Sequence, residues 1–73
     1  MSKLNQANEK SNVTPGTEVC ITATGEGAVY AVGEDGSAVK LQDIGGAGSY
    51  IVPVGSWSKI YCDVSYYIAN GVY

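Results

Sequence analysis

The chain has 73 residues and a net charge of −3, with lysines only at positions 3, 10, 40 and 59, no arginine and no histidine. Phosphate backbones and anionic membranes select clustered cationic side chains, so nucleic acid and membrane surfaces are poor partners. Without histidine, and with Cys20 and Cys62 as its only cysteines, the chain has almost no means of building a tetrahedral zinc site.

The N-terminus Met1-Ser2-Lys3-Leu4-Asn5-Gln6 lacks the apolar run of a signal peptide, and no later stretch reaches the length of a membrane span. Synthesis in the cytosol is expected, where thiols are kept reduced. Two readings of the cysteines stay open: a pair of reduced thiols filling the core, or a disulfide worth roughly 4 kcal/mol by loop closure.

Residues 1–17 are rich in Asn, Gln, Ser, Lys and Glu, with Leu4, Ala7 and Val13 as apolar positions. Such a segment buries too little surface to offset its ordering entropy, so it is expected to be a flexible or extended arm, mobile when the chain is alone. Thr14-Pro15-Gly16-Thr17 is a turn signal that ends it. Residues 18–73 form the expected domain, whose core is small for stability without a partner, a metal or a disulfide.

From Glu18 the apolar period becomes two, which predicts strands. Val19, Ile21 and Ala23 share one face of the first, and Gly25-Glu26-Gly27 breaks it. Ala28 to Val32 is a second strand, with Ala28, Tyr30 and Val32 opposed to Val29 and Ala31. Gly33-Glu34-Asp35-Gly36 predicts a hairpin, because Asp-Gly tolerates the positive φ such turns need. Ser37 to Leu41 returns as a third strand. Gln42 to Ser49, with Gly45, Gly46 and Gly48, reads as a loop; it lacks the Lys-Ser or Lys-Thr of a phosphate cradle.

Tyr50 to Val54 is a fourth strand, and Pro53 suggests that it lies at an edge, since proline cannot donate to a ladder. Trp57 to Val64 is a fifth, with Ile60 on the core face and Trp57, Lys59, Tyr61 and Asp63 on the other. Tyr66 to Ala69 and Val72-Tyr73 flank Asn70-Gly71, a second candidate hairpin turn. The fold class that results is all-β: a small antiparallel sandwich or open barrel of about five or six short strands, with an extended N-terminal arm.

Six tyrosines and one tryptophan stand beside no phenylalanine. A ring with a polar tip suits a half-wet surface, so Tyr50, Trp57, Tyr61, Tyr66, Tyr67 and Tyr73 are the candidate interface residues. The competing use is a carbohydrate site, with rings stacked on sugar faces and Asp63 or Asn70 accepting hydroxyl bonds. Catalysis has little support. Glu26, Glu34, Asp35 and Asp43 fall in expected turns, and no histidine is present to activate a serine or cysteine. No catalytic residue, metal ligand or cofactor is expected, so the chain reads as non-enzymatic.

The run Gly48-Ser49-Tyr50-Ile51-Val52-Pro53-Val54-Gly55-Ser56, continued by Lys59-Ile60-Tyr61-Cys62, resembles the short β modules of bacteriophage virion proteins: head decoration proteins, head fibres and tail adhesins. The resemblance is one of rhythm over about 40 residues, and it carries no site across. It implies a virion component, made in the host cytoplasm, that binds a major capsid or other virion protein and assembles as a homo-oligomer, often a trimer. The alternative is a receptor- or carbohydrate-binding module of a tail or adhesin.

Overall fold

Two four-stranded antiparallel sheets enclose one core in the computed structural model, which describes residues 4–52 and 55–70. In chain order the strands are β1 (Leu4–Asn5), β2 (Ser11–Asn12), β3 (Val19–Ala23), β4 (Gly27–Val32), β5 (Ala38–Ile44), β6 (Gly48–Val52), β7 (Lys59–Cys62) and β8 (Tyr66–Asn70). The first sheet has the order β1-β8-β3-β6 and the second β2-β7-β4-β5. The fold is therefore all-β and antiparallel as period-two patterning leads one to expect, and of the two architectures left open, sandwich or open barrel, it is the sandwich.

The connections give the sandwich its shape. Each strand of the first sheet is joined to a strand of the second by a short arch: β1 to β2, β3 to β4, β5 to β6 and β7 to β8. Since all neighbours pair antiparallel, strand directions alternate, and these four arches fall at one end. The opposite end carries the β2–β3 link, the β4–β5 hairpin and the passage from β6 to β7.

Alternation sets the core. Val19, Ile21 and Ala23 of β3, Val52 of β6 and Tyr66 and Ile68 of β8 meet Val29 and Ala31 of β4, Ile44 of β5 and Ile60 and Cys62 of β7. Ile21, Ile60, Cys62 and Tyr66 are fully enclosed. Burying a side chain of this size stabilises by about 1.5–3 kcal/mol, which is why a period-two sequence closes two sheets on one another.

The hairpin at 33–37 forms as expected. Gly36 N–H donates to Gly33 O at 3.0 Å, Gly33 N–H to Ser37 O at 3.0 Å, and Gly36 takes φ +88°. Only the glycine uses the left-handed region; the Asp35 carboxylate instead accepts from Ser37 N–H (3.0 Å) and Ser37 Oγ (3.1 Å). Those bonds hold the Asp35 carboxyl below its ordinary pKa. Thr14-Pro15-Gly16-Thr17 likewise closes, with Thr17 N–H on Thr14 O at 3.1 Å and Gly16 at φ +84°.

Three expectations are corrected. The segment before residue 18 is not a free arm: residues 4–13 add an outer strand to each sheet, and Val13 enters the core. That brings the described strands to eight where about five or six were expected. The physical reason is a polar one, because Asn5 and Ser11 are buried on hydrogen bonds, a gain that apolar patterning does not register. The loop expected over 42–49 shrinks to residues 45–47, since Ile44 is buried and extends β5. Asn70 belongs to β8 and pairs with Cys20. Pro53, Val54 and the second half of the expected Asn70-Gly71 hairpin, with Tyr73, lie outside the described residues.

Candidate functional site

The sandwich has two outer faces, and they differ in chemistry. On the second sheet, Tyr30 of β4 and Tyr61 of β7 are cross-strand partners whose rings stack at 5.1 Å between centroids, 10° from parallel. The ammonium of Lys10 lies 5.2 Å from the Tyr61 ring centre, within cation–π range. Lys59 Nζ donates to Asn12 Oδ1 at 2.6 Å, and Lys40 pairs with Asp43 at 2.9 Å, which raises the Lys40 pKa. Every described lysine thus stands on this face.

Beside Tyr30 lies a shallow cavity of about 570 Å3, rimmed by Glu26, Lys40, Asp43 and Asp63. Asp63 Oδ1 accepts the Ala28 amide at 2.7 Å, bridging the start of β4 to the end of β7. Gly27 makes this possible, because a Cβ there would fall on the Asp63 carboxylate. Among the described residues no group of three or more Cys, Asp or Glu is placed to hold a metal ion.

The outer face of the first sheet is built differently. Val19, Ile21 and Ala23 point inward, so Cys20 and Thr22 point out, and their cross-strand neighbours Ile51, Ser49 and Tyr67 join them. Leu4 stands opposite Tyr67 at the far side. Ile51 is 59% exposed, Leu4 38% and Tyr67 37%. None of the four strands of this sheet contains a charged residue. The only polar exchange described on the face is Thr22 Oγ1 with Ser49 Oγ at 3.0 Å.

The expected interface residues are dispersed by this architecture. Tyr67 is on the uncharged face of the first sheet, and Tyr61 is in the stack on the second. Tyr50 is half-buried at the β6 edge, its side chain packed against the core and its hydroxyl donating to Gly46 O at 3.3 Å. Trp57 also packs against the core, its indole lying over Gly55, where a Cβ would meet Cε2 at 2.7 Å. It sits ahead of β7 and is no exposed platform.

Tyr66 is the clearest departure, because it is fully enclosed. Its hydroxyl donates to Glu9 O and accepts from Ser11 Oγ at 2.9 Å, and Ser11 Oγ in turn accepts from Asn5 Nδ2 at 2.9 Å. The Tyr66 hydroxyl also lies within 3.3 Å of Ile60 O as a second acceptor, and the buried polar side-chain atoms described all have partners. The series ties β8 of the first sheet to β2 of the second through residues of the N-terminal segment. Burial outweighs the Ser11 hydrogen bond and pushes the Tyr66 pKa up to about 12.

Spacing could have separated the two neighbouring tyrosines, since Tyr66 shares its face with Ile68 and Tyr67 does not. Tyr30 was not among the expected interface residues. Its one available signal was its position on the face opposite Val29 and Ala31.

Both cysteines are free thiols. Cys62 faces the core, and burial pushes its pKa up to about 12, far from a thiolate nucleophile. Cys20 points out of the other sheet, so the alternation that buries one removes it from reach of the other. Comparison with family models, with curated proteins and with solved structures gave no significant match for this chain.

Proposed function

We propose that this chain is a non-enzymatic structural protein of a bacteriophage virion, a capsid-decoration or head-fibre type of component that binds a larger shell protein. The single observation that carries the binding role is the uncharged outer face of the first sheet, where Leu4, Tyr67 and Ile51 stay exposed. Centres of protein interfaces are depleted in charge and enriched in aromatic rings, and a soluble chain seldom leaves such a strip without use. The phage setting draws on the rhythm of residues 48–62 alone.

A second reading, a carbohydrate-binding module, draws on the cavity beside Tyr30. One ring face there is taken by Tyr61, while Glu26, Asp43 and Asp63 supply hydroxyl acceptors at the rim. A single experiment separates the two. Tagged chain is used as bait against disrupted phage particles and, in parallel, on an array of cell-wall glycans. Retention of an abundant shell subunit, lost on Tyr67→Asp and kept on Tyr30→Ala, supports the assembly reading. Glycan binding lost on Tyr30→Ala, with no shell subunit retained, overturns it.

A further inference from the structure

Among the described residues four strands border the sandwich, and one of them is unguarded. Within the described residues β1 and β2 pair over two residues each, a short template for another strand. β5 is long but carries Lys40 and Asp43, and its ladder with β4 is broken by a bulge between Val29 and Tyr30. Short length, charge and bulges are the devices that keep sheet edges from pairing. β6 has none of them within its described length: Gly48–Val52 is five residues long, uncharged, and pairs with β3 in unbroken register.

We propose that β6 is a self-association edge, along which a second copy of this chain pairs antiparallel to continue the first sheet. The occupant follows from charge. The chain bears seven carboxylates against four lysines, so a second copy meets repulsion wherever the acids lie. Glu9, Glu26 and Asp63 sit in the arches, Glu18 in the link just before β3, Asp43 on the second sheet, and Glu34 and Asp35 in the hairpin. The β6 edge has no charge along the strand to oppose a like-charged neighbour.

Alternation fixes the geometry further. A register that places residue 49 opposite residue 51 of the second copy keeps Tyr50 and Val52 on the inner side of both molecules and Ile51 on the outer side. The half-buried Tyr50 rings then lose their remaining exposure at the seam. The exposed Ile51 strip, already adjacent to Cys20, becomes continuous across two copies. This deepens the assembly reading by naming the chain itself as one partner, yet it needs no shell protein to be tested.

The test is sedimentation equilibrium of the purified full chain from micromolar to millimolar concentration. Wild type is expected to dimerise, Ile51→Lys to weaken dimerisation roughly tenfold or more by setting like charges near the seam, and Val39→Lys on β5 to leave it unchanged. Circular dichroism reports whether each variant is folded, and if Ile51→Lys is not, Ser49→Lys on the same strand is read in its place. A monomer throughout the range overturns the proposal, as does a dimer indifferent to the β6 lysine. Tyr67→Asp, two strands away from this edge, is expected to keep the dimer while losing shell binding, so the two readings fail separately.

Discussion

The two sheets present nearly equivalent inner faces and unlike outer ones. Inside, each contributes a short file of Val, Ile and Ala at period two. Outside, the second sheet carries lysines, an ion pair and stacked tyrosines, while the first carries no charge in any strand. The lesson is a division of labour. Stability resides in what the sheets share, and recognition is expected where they differ.

The strongest way to break that division is to truncate matching core positions. Ile21→Ala in the first sheet and Ile60→Ala in the second should each cost about 2–5 kcal/mol, since both side chains are essentially inaccessible to water. Urea denaturation measures both. A large cost in one sheet and almost none in the other would show that the inner faces are not equivalent.

How legible this was from the chain itself depends on the kind of physics involved. The strands at 19–23, 27–32 and 59–62 and the turn at Gly36 follow from period two and from glycine's freedom at positive φ, both local properties. The Tyr30–Tyr61 stack depends on β4 pairing with β7, whose residues are about thirty apart, and no local pattern encodes that choice. The N-terminal segment misled for another reason. Composition judges it too polar to fold, but Asn5, Ser11 and Tyr66 satisfy one another inside the protein. Ile44 was assigned to a loop because three of the next four residues are glycine, although it is one of the largest fully buried side chains.

A middle-sized effect sharpens the comparison by testing what couples the sheets. Tyr66→Phe leaves Glu9 O and Ser11 Oγ short of a partner and should cost about 1–3 kcal/mol. Hydrogen exchange should rise first at the Asn8 amide, which donates to Cys62 O at 2.7 Å. Protonation gives a second readout. Cys62 and Tyr66 are raised from 9.0 and 10.0 to about 12, so the folded chain keeps two protons that the unfolded chain releases.

The stability these groups contribute is complete below pH 9.0 and falls as pH rises toward about 12. The slope is at most about 1.4 kcal/mol per pH unit for each group. Tyr66→Phe should make the alkaline decline shallower, and thermal melts between pH 8 and pH 11 measure it. An unchanged slope would mean that the hydroxyl is not sequestered.

The smallest effect concerns the decorated face. Lys40→Ala removes an exposed ion pair with Asp43 and should leave stability almost unchanged, with less effect still at high salt. A larger loss in the same melts would mean that the outer charges of the second sheet help to hold the fold.

The placement of all four arches at one end has a consequence in time as well as in space. Among the described strands only β4 and β5 are neighbours both along the chain and within a sheet, so of the ladders described the Gly33–Ser37 hairpin is the one that can close within microseconds. Every other ladder must wait for distant stretches to find each other, which makes nucleation slow for so short a polypeptide, on the order of milliseconds to seconds. Folding is therefore expected to wait on the ladders that join distant stretches, those of β3 with β6 and β8 above all.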